Sequence, residues 1–297
     1  MSTPLSAAAF AAALRAEGVS VVEADGWRDH NRNHKGAWGP VNGVIVHHTV
    51  SSGTDVSVRL CYDGYDELPG PLCHGVIAKD GTVHLVGNGR ANHAGGGDPA
   101  VLNAVIAENY GDRPPATHQH EGSSGAVDGN ARFYGFECVN LGDGADPWPA
   151  AQLDAIERVS AALCRAHGWS AKSVIGHLEW SDWKSDPRGF AMAELRSRIA
   201  ARLAGKPIAT PAPQRYQPFP GAGFFTVGRD SPVVTAMGRR LVAEGCSAYA
   251  EGPGPRWTDT DRASYAEWQR RLGFDGPDAD GVPGRASWDA LKVPYTV

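Results

Sequence analysis

The sequence predicts an α/β domain followed by a small, mainly helical one, and three observations carry that prediction. Short β-branched runs alternate with helical periodicity over the first two thirds of the chain, the pattern of strands layered with helices. Five prolines crowd the fourteen residues from Pro207 to Pro220, which favours extended chain and cannot continue a helix. Beyond them the apolar spacing is helical. At 297 residues the chain also exceeds the usual size of one domain. The predicted division is 1–205, a proline-rich linker over 206–220, and 221–297.

Taken in order, Ala7–Leu14 is an alanine-rich apolar run with no Lys or Arg before it and Arg15 and Glu17 directly after. That reads as an amphipathic helix rather than a secretory signal. Gly43-Val-Ile-Val-His-His-Thr-Val50 reads as a buried strand. His74–Ala78 and Val83–Val86, joined through Asp80-Gly81, read as a hairpin. Asp98-Pro99 opens a helix by capping and a first-turn proline, and 111–130 is loop by composition. Phe133–Val139 is a further strand. Ala150–His167 is helical through Leu153, Ile156, Val159 and Leu163, with Gly168 ending it. Val174-Ile175 closes the strand set.

Composition narrows the function classes. Hydrophobic residues make up 42% and charged residues 21%, with a net charge of −5 and no Lys/Arg block. Nucleic acid and anionic membrane surfaces are therefore poor partners, because both need clustered positive charge. No apolar run approaches membrane-spanning length, so no membrane insertion is expected. The five cysteines are odd in number and lack a CxxC pair, the usage of a reducing compartment. Cys61 and Cys73 would close a loop if oxidised, but free thiols are the simpler reading. A cytoplasmic site of synthesis and a monomer are the corresponding expectations.

The chemistry-bearing residues fall at strand ends. His47 and His48 end the first strand, His177 follows Val174-Ile175, and Asp186 comes nine residues later. Two imidazoles and one carboxylate with an open fourth position match the ligand count of a catalytic zinc. Alternation puts His47 on one side with Ile45 and His48 on the other with Val44 and Val46, without choosing between them. No H-E-x-x-H is present. Ser181-Asp-Trp-Lys184 matches S-x-x-K but lacks its companion motifs. His118 and His120 read as loop residues.

Five runs occur in one order: Val44-Ile-Val-His-His-Thr49, Cys73-His-Gly-Val-Ile-Ala-Lys-Asp-Gly-Thr82, Asn92-His-Ala-Gly95, Tyr134-Gly-Phe-Glu-Cys-Val-Asn140, and Ile175-Gly-His-Leu-Glu-Trp180 with Lys184-Ser-Asp-Pro187. Over about residues 40 to 190 this order resembles the type 2 N-acetylmuramoyl-L-alanine amidases, which include phage lysozyme-like amidases and peptidoglycan recognition proteins. The resemblance implies a mixed central sheet flanked by helices, Zn2+ as cofactor and bacterial peptidoglycan as partner. It implies His47, His177 and Asp186 as ligands, leaving His48 as a packed residue. Glu137 and Lys184 take catalytic places, as acid–base group and oxyanion stabiliser. His74, His93 and Asn140 are the implied substrate-binding residues. Some relatives carry a catalytic tyrosine where Cys73 stands.

In the last segment, W-Q-x-x-L-G in a helix over 264–273, then D-G-x-x-G and a helix over Arg285–Leu291, resemble the small helical peptidoglycan-binding domain. Trp257, Trp268 and Trp288 are candidates for sugar stacking as well as for core packing. Asp278-Ala-Asp280-Gly281 fails as a calcium loop because Gly276 and Ser287 occupy its first and twelfth ligand places. A wall-binding domain without a leader points to a phage endolysin that reaches the wall after release. The rivals are a cellular amidase of wall remodelling or recycling and a non-catalytic recognition protein.

Overall fold

A computed structural model describes residues 2–206 and 216–296. Most of the linker expected over 206–220 lies outside the described residues. The chain divides into two compact units, Met1–Pro211 and Ala212–Val297.

The first unit runs α1 (Ala7–Ala16), β1 (Val21–Glu23), β2 (Gly43–His48), α2 (Thr54–Asp63), β3 (Gly75–Ile77), β4 (Val83–Leu85), β5 (Gly96–Gly97), α3 (Pro99–Ala107), β6 (Val127–Asp128), β7 (Phe133–Cys138), α4 (Ala150–His167), β8 (Val174–Gly176) and α5 (Met192–Ala204). Six strands form one mixed sheet in the order β1-β4-β3-β7-β2-β8. β3, β7, β2 and β8 are parallel; β4 is antiparallel to β3, and β1 is parallel to β4. The expected α/β class and the mixed sheet between helices are both present.

Strand alternation sends β2 and β7 two ways. Val44, Val46, Tyr134, Phe136 and Cys138 join Phe10 and Leu14 of α1, Ile156, Val159 and Leu163 of α4, and Leu195 and Ile199 of α5 in the main core. Ile45 and Phe133, with Ile175 of β8, pack on the opposite face against Val101 and Val105 of α3 and Trp180. Asp98 caps α3 by accepting from the Ala100 N–H at 2.8 Å. The stretch read as loop over 111–130 contains β6, which pairs antiparallel with β5, so it is tied down at its far end. All five cysteines are buried free thiols. Among the described residues no helix is long and apolar enough to cross a membrane.

The second unit packs α6 (Pro232–Ala243), α7 (Asp259–Arg271) and α8 (Arg285–Leu291) around Val234, Met237, Leu241, Tyr265 and Leu291. α7 begins earlier than its apolar spacing shows, because Asp261 accepts from the Thr258 N–H at 2.8 Å and closes a capping box. Sugar stacking is not available to the three tryptophans: Trp257, Trp268 and Trp288 are all buried in this core. Their polar ends are used internally as well, Trp268 Nε1 donating to the Ser287 carbonyl at 2.9 Å and Trp288 Nε1 to the Gln217 carbonyl at 2.8 Å.

Candidate metal centre and catalytic cleft

The parallel strands β2, β7 and β8 end at one edge of the sheet, the edge where open α/β folds bind ligands. His47 is the penultimate residue of β2 and is the register partner of Glu137 on β7, so the two side chains leave the sheet on the same face. His177 follows β8 directly. The Leu178 N–H donates to the Asp186 carbonyl at 2.7 Å, closing the intervening loop and returning Asp186 to His177. His47 Nδ1 lies 3.0 Å from His177 Nδ1 and 3.0 Å from Asp186 Oδ2, and His177 Nδ1 lies 3.2 Å from the same oxygen. The ligand atoms of these three residues fall within 4.8 Å of one another, the geometry of a possible metal site.

The donor chemistry fits a zinc ion. His177 Nε2 faces the Ala94 carbonyl at 3.2 Å. A carbonyl only accepts, so Nε2 carries a proton, and in the neutral ring Nδ1 is the lone-pair atom. Burial lowers the His47 pKa to about 4, with the His177 ring adding to the effect, so His47 is neutral at pH 7. Two imidazole nitrogens and a carboxylate oxygen are the protein donors of a catalytic zinc. A tetrahedron with bonds of about 2.05 Å has edges of about 3.3 Å, close to the three separations observed.

Above the cluster lies a cleft of about 300 Å³ lined by His93, Glu137, His177, Lys184 and Asp186, with Tyr65 and Trp183 at its wall. Glu137 Oε2 is buried without a hydrogen-bond partner. Burial pushes the Glu137 carboxyl well above the usual carboxylate range, helped by Cys61 and Asp186 and opposed by Lys184. Lys184 is exposed. Trp183 is exposed too, stacked on His120 with ring centroids 3.6 Å apart.

Three other expected site residues are engaged by the protein itself. His74 is buried, its Nδ1 accepting from the Gly135 N–H at 2.9 Å and its Nε2 donating to the Gly89 carbonyl at 2.9 Å. Both of its ring nitrogens are engaged by backbone groups. Asn140 is engaged likewise: its amide donates to the Asp146 carbonyl at 3.1 Å and its oxygen accepts from the Gly142 N–H at 2.8 Å, so it shapes its own loop. His93 reaches the cleft lining, yet its Nε2 bonds to the Phe133 carbonyl at 2.9 Å and its Nδ1 to His47 Nε2 at 3.1 Å. His48 falls on the opposite face of β2 by alternation, although it also contributes to the cleft lining, and its Nδ1 accepts from the Arg188 N–H at 3.3 Å. Burial and the neighbouring Cys61 thiol push Cys73 well up, so it stays protonated. His118 and His120 lie outside the cluster; His120 Nδ1 pairs with Asp182 at 2.8 Å. Asn130 was not legible as a functional residue. Its oxygen accepts from the N–H groups of His93, Ala94 and Gly95 at 2.9, 2.8 and 3.2 Å, and its only sequence signal is a Gly-Asn pair closing a loop.

Comparison with known proteins now identifies the class. The N-acetylmuramoyl-L-alanine amidase family matches residues 37–189, more than half of the chain, and the chain belongs to that family. Its enzyme class is accordingly that of the peptidoglycan amidases. Solved structures similar to it include the endolysin amidase LysCS from Clostridium intestinale URNW, at 16% identity and a TM-score of 0.41 over 61% of this chain and 96% of that one. Hydrolase AmiA from Staphylococcus aureus, in complex with its ligand, matches at 13% identity and a TM-score of 0.41 over 68% and 93%. AmiD from E. coli, in complex with the substrate anhydro-N-acetylmuramic acid-L-Ala-D-gamma-Glu-L-Lys, matches at 15% identity and a TM-score of 0.33 over 89% and 91%. Among curated proteins, none matches.

Proposed function

We propose that this chain hydrolyses the amide bond between N-acetylmuramic acid and L-alanine with one zinc ion held by His47, His177 and Asp186, and that it serves as a phage endolysin. The observation that carries the zinc reading is the convergence of His47 Nδ1, His177 Nδ1 and Asp186 Oδ2 at 3.0 to 3.2 Å, at the floor of a cleft that also holds Glu137 and Lys184. Zinc at such a site supplies a Lewis acid for the carbonyl and makes water more acidic. Glu137, whose burial raises its proton affinity, accepts the proton of the attacking water and delivers it to the leaving nitrogen. The new C–O bond forms as the C–N bond breaks, leaving a lactyl carboxylate on the sugar and a free amine on L-alanine. Lys184, at the same cleft, stabilises the negative charge that develops on the carbonyl oxygen.

Digestion of purified walls tests the bond cut: released peptides are expected to begin with L-alanine and the glycan to gain no reducing ends. New reducing ends without free peptide would indicate a glycosidase instead. The endolysin reading rests on the pairing of an amidase unit with a second unit of peptidoglycan-binding type. Removing Ala212–Val297 should leave hydrolysis of soluble muropeptides near the full rate while slowing clearance of intact walls, because tethering raises enzyme concentration at an insoluble substrate. Equal clearance by the truncated chain would remove the wall-binding role.

A further inference from the structure

His47 has two neutral tautomers, and only one suits a metal. With the proton on Nδ1 the ring would donate to Asp186 Oδ2 at 3.0 Å and fill the ligand position. With the proton on Nε2, Nδ1 is a free lone pair. Which form prevails depends on what Nε2 meets, and it meets His93 Nδ1 at 3.1 Å.

His93 has no choice of its own. Its Nε2 faces the Phe133 carbonyl at 2.9 Å, and a carbonyl accepts only, so Nε2 holds the proton. The ring is buried, its two nitrogens facing the Phe133 carbonyl and His47 Nε2. His93 Nδ1 is therefore an acceptor, His47 Nε2–H must donate to it, and His47 Nδ1 is left unprotonated toward the ligand cluster. The chain of polarity runs from a β7 carbonyl through two rings to the ligand atom. The next residue does the same for the other imidazole, since the Ala94 carbonyl accepts from His177 Nε2 at 3.2 Å.

The segment is built to stay where it is. Asn130 Oδ1 gathers three successive N–H groups, from His93, Ala94 and Gly95. A Cβ at position 135 of β7 would lie 2.3 Å from His93 Nδ1, so glycine there leaves the space the ring needs.

We propose that His93 and Ala94, clamped by the Asn130 carboxamide, are positioning residues that impose the metal-binding tautomer on His47 and His177. This gives His93 a role behind the ligands in place of substrate contact. It rests on the zinc reading above but is measured without turnover.

The test uses the full chain. Long-range 1H–15N correlation spectra of the metal-free protein are expected to show His47 and His93 both protonated at Nε2. Zinc affinity by chelator competition should fall about 10- to 100-fold in His93→Leu, the range for lost partners of metal-ligating histidines. His93→Gln should restore most of it, because its amide both donates to the carbonyl and accepts from His47. A wild-type spectrum with His47 protonated at Nδ1 would overturn the proposal, as would wild-type zinc affinity in His93→Leu. The spectrum needs no variant, so a misfolded His93→Leu leaves that arm intact. A protein with the expected tautomer and no amidase activity would separate this inference from the functional reading.

Discussion

The two faces of the central sheet are made by the same strands and put to opposite uses. On β2 and β7, Val44, Val46, Tyr134, Phe136 and Cys138 turn toward α1, α4 and α5 and are buried among apolar side chains. The alternate residues Ile45, His47, Phe133, Gly135 and Glu137 turn the other way, and the polarity rises toward the carboxyl ends. One face trades water for close packing. The other, within the same few residues, holds an imidazole, an unpartnered carboxyl oxygen and a glycine that makes room for a second imidazole. A period of two is enough to separate stability from chemistry along a six-residue strand, because neighbouring side chains never share a face.

That contrast can be broken or sharpened by exchanging residues on each side. On the chemical face, Glu137→Gln keeps the shape but cannot accept a proton. Hydrolysis should fall by about 10²- to 10⁴-fold, the contribution of a positioned general base, while zinc content and thermal stability hold. Steady-state rates beside metal analysis check this, and an active Glu137→Gln would move the base elsewhere. On the packing face, Phe136→Ala should cost about 3 to 5 kcal/mol of stability through lost burial and a residual cavity. Denaturant titration measures that loss, and molecules still folded should hold zinc as before. A large fall in zinc affinity without destabilisation would show that the two faces are not separate.

Several elements were legible because their signals are local. The β-branched run of β2, the Asp80-Gly81 turn between β3 and β4, and the 3.6-residue spacing of α4 each sit within a short window. β1 is only Val21–Glu23, too short to show alternation. α2 buries just Ser57 and Cys61, so it has little apolar stripe to read. The metal cluster could be picked out only because strand-end histidines followed the motif order of a known family. What the order could not convey is hydrogen-bond polarity. His74, His93 and Asn140 lie in motifs near the site, yet backbone groups occupy both ring nitrogens of His74, one of His93 and the amide of Asn140, and backbone partners leave no trace in residue identity. The tryptophans of the second unit show the same gap, since an indole that stacks on sugar and one that fills a core are the same letter.

Metal content of His47→Ala and His48→Ala tests the two-face assignment most directly, since adjacent residues on one strand are assigned to opposite faces. His47→Ala is expected to purify without zinc and with nearly all hydrolysis gone while remaining folded. His48→Ala is expected to keep about one zinc per chain and to lose about 1 to 3 kcal/mol of stability instead. A zinc-free His48→Ala beside a zinc-loaded His47→Ala would contradict the assignment and reverse the roles of the two faces.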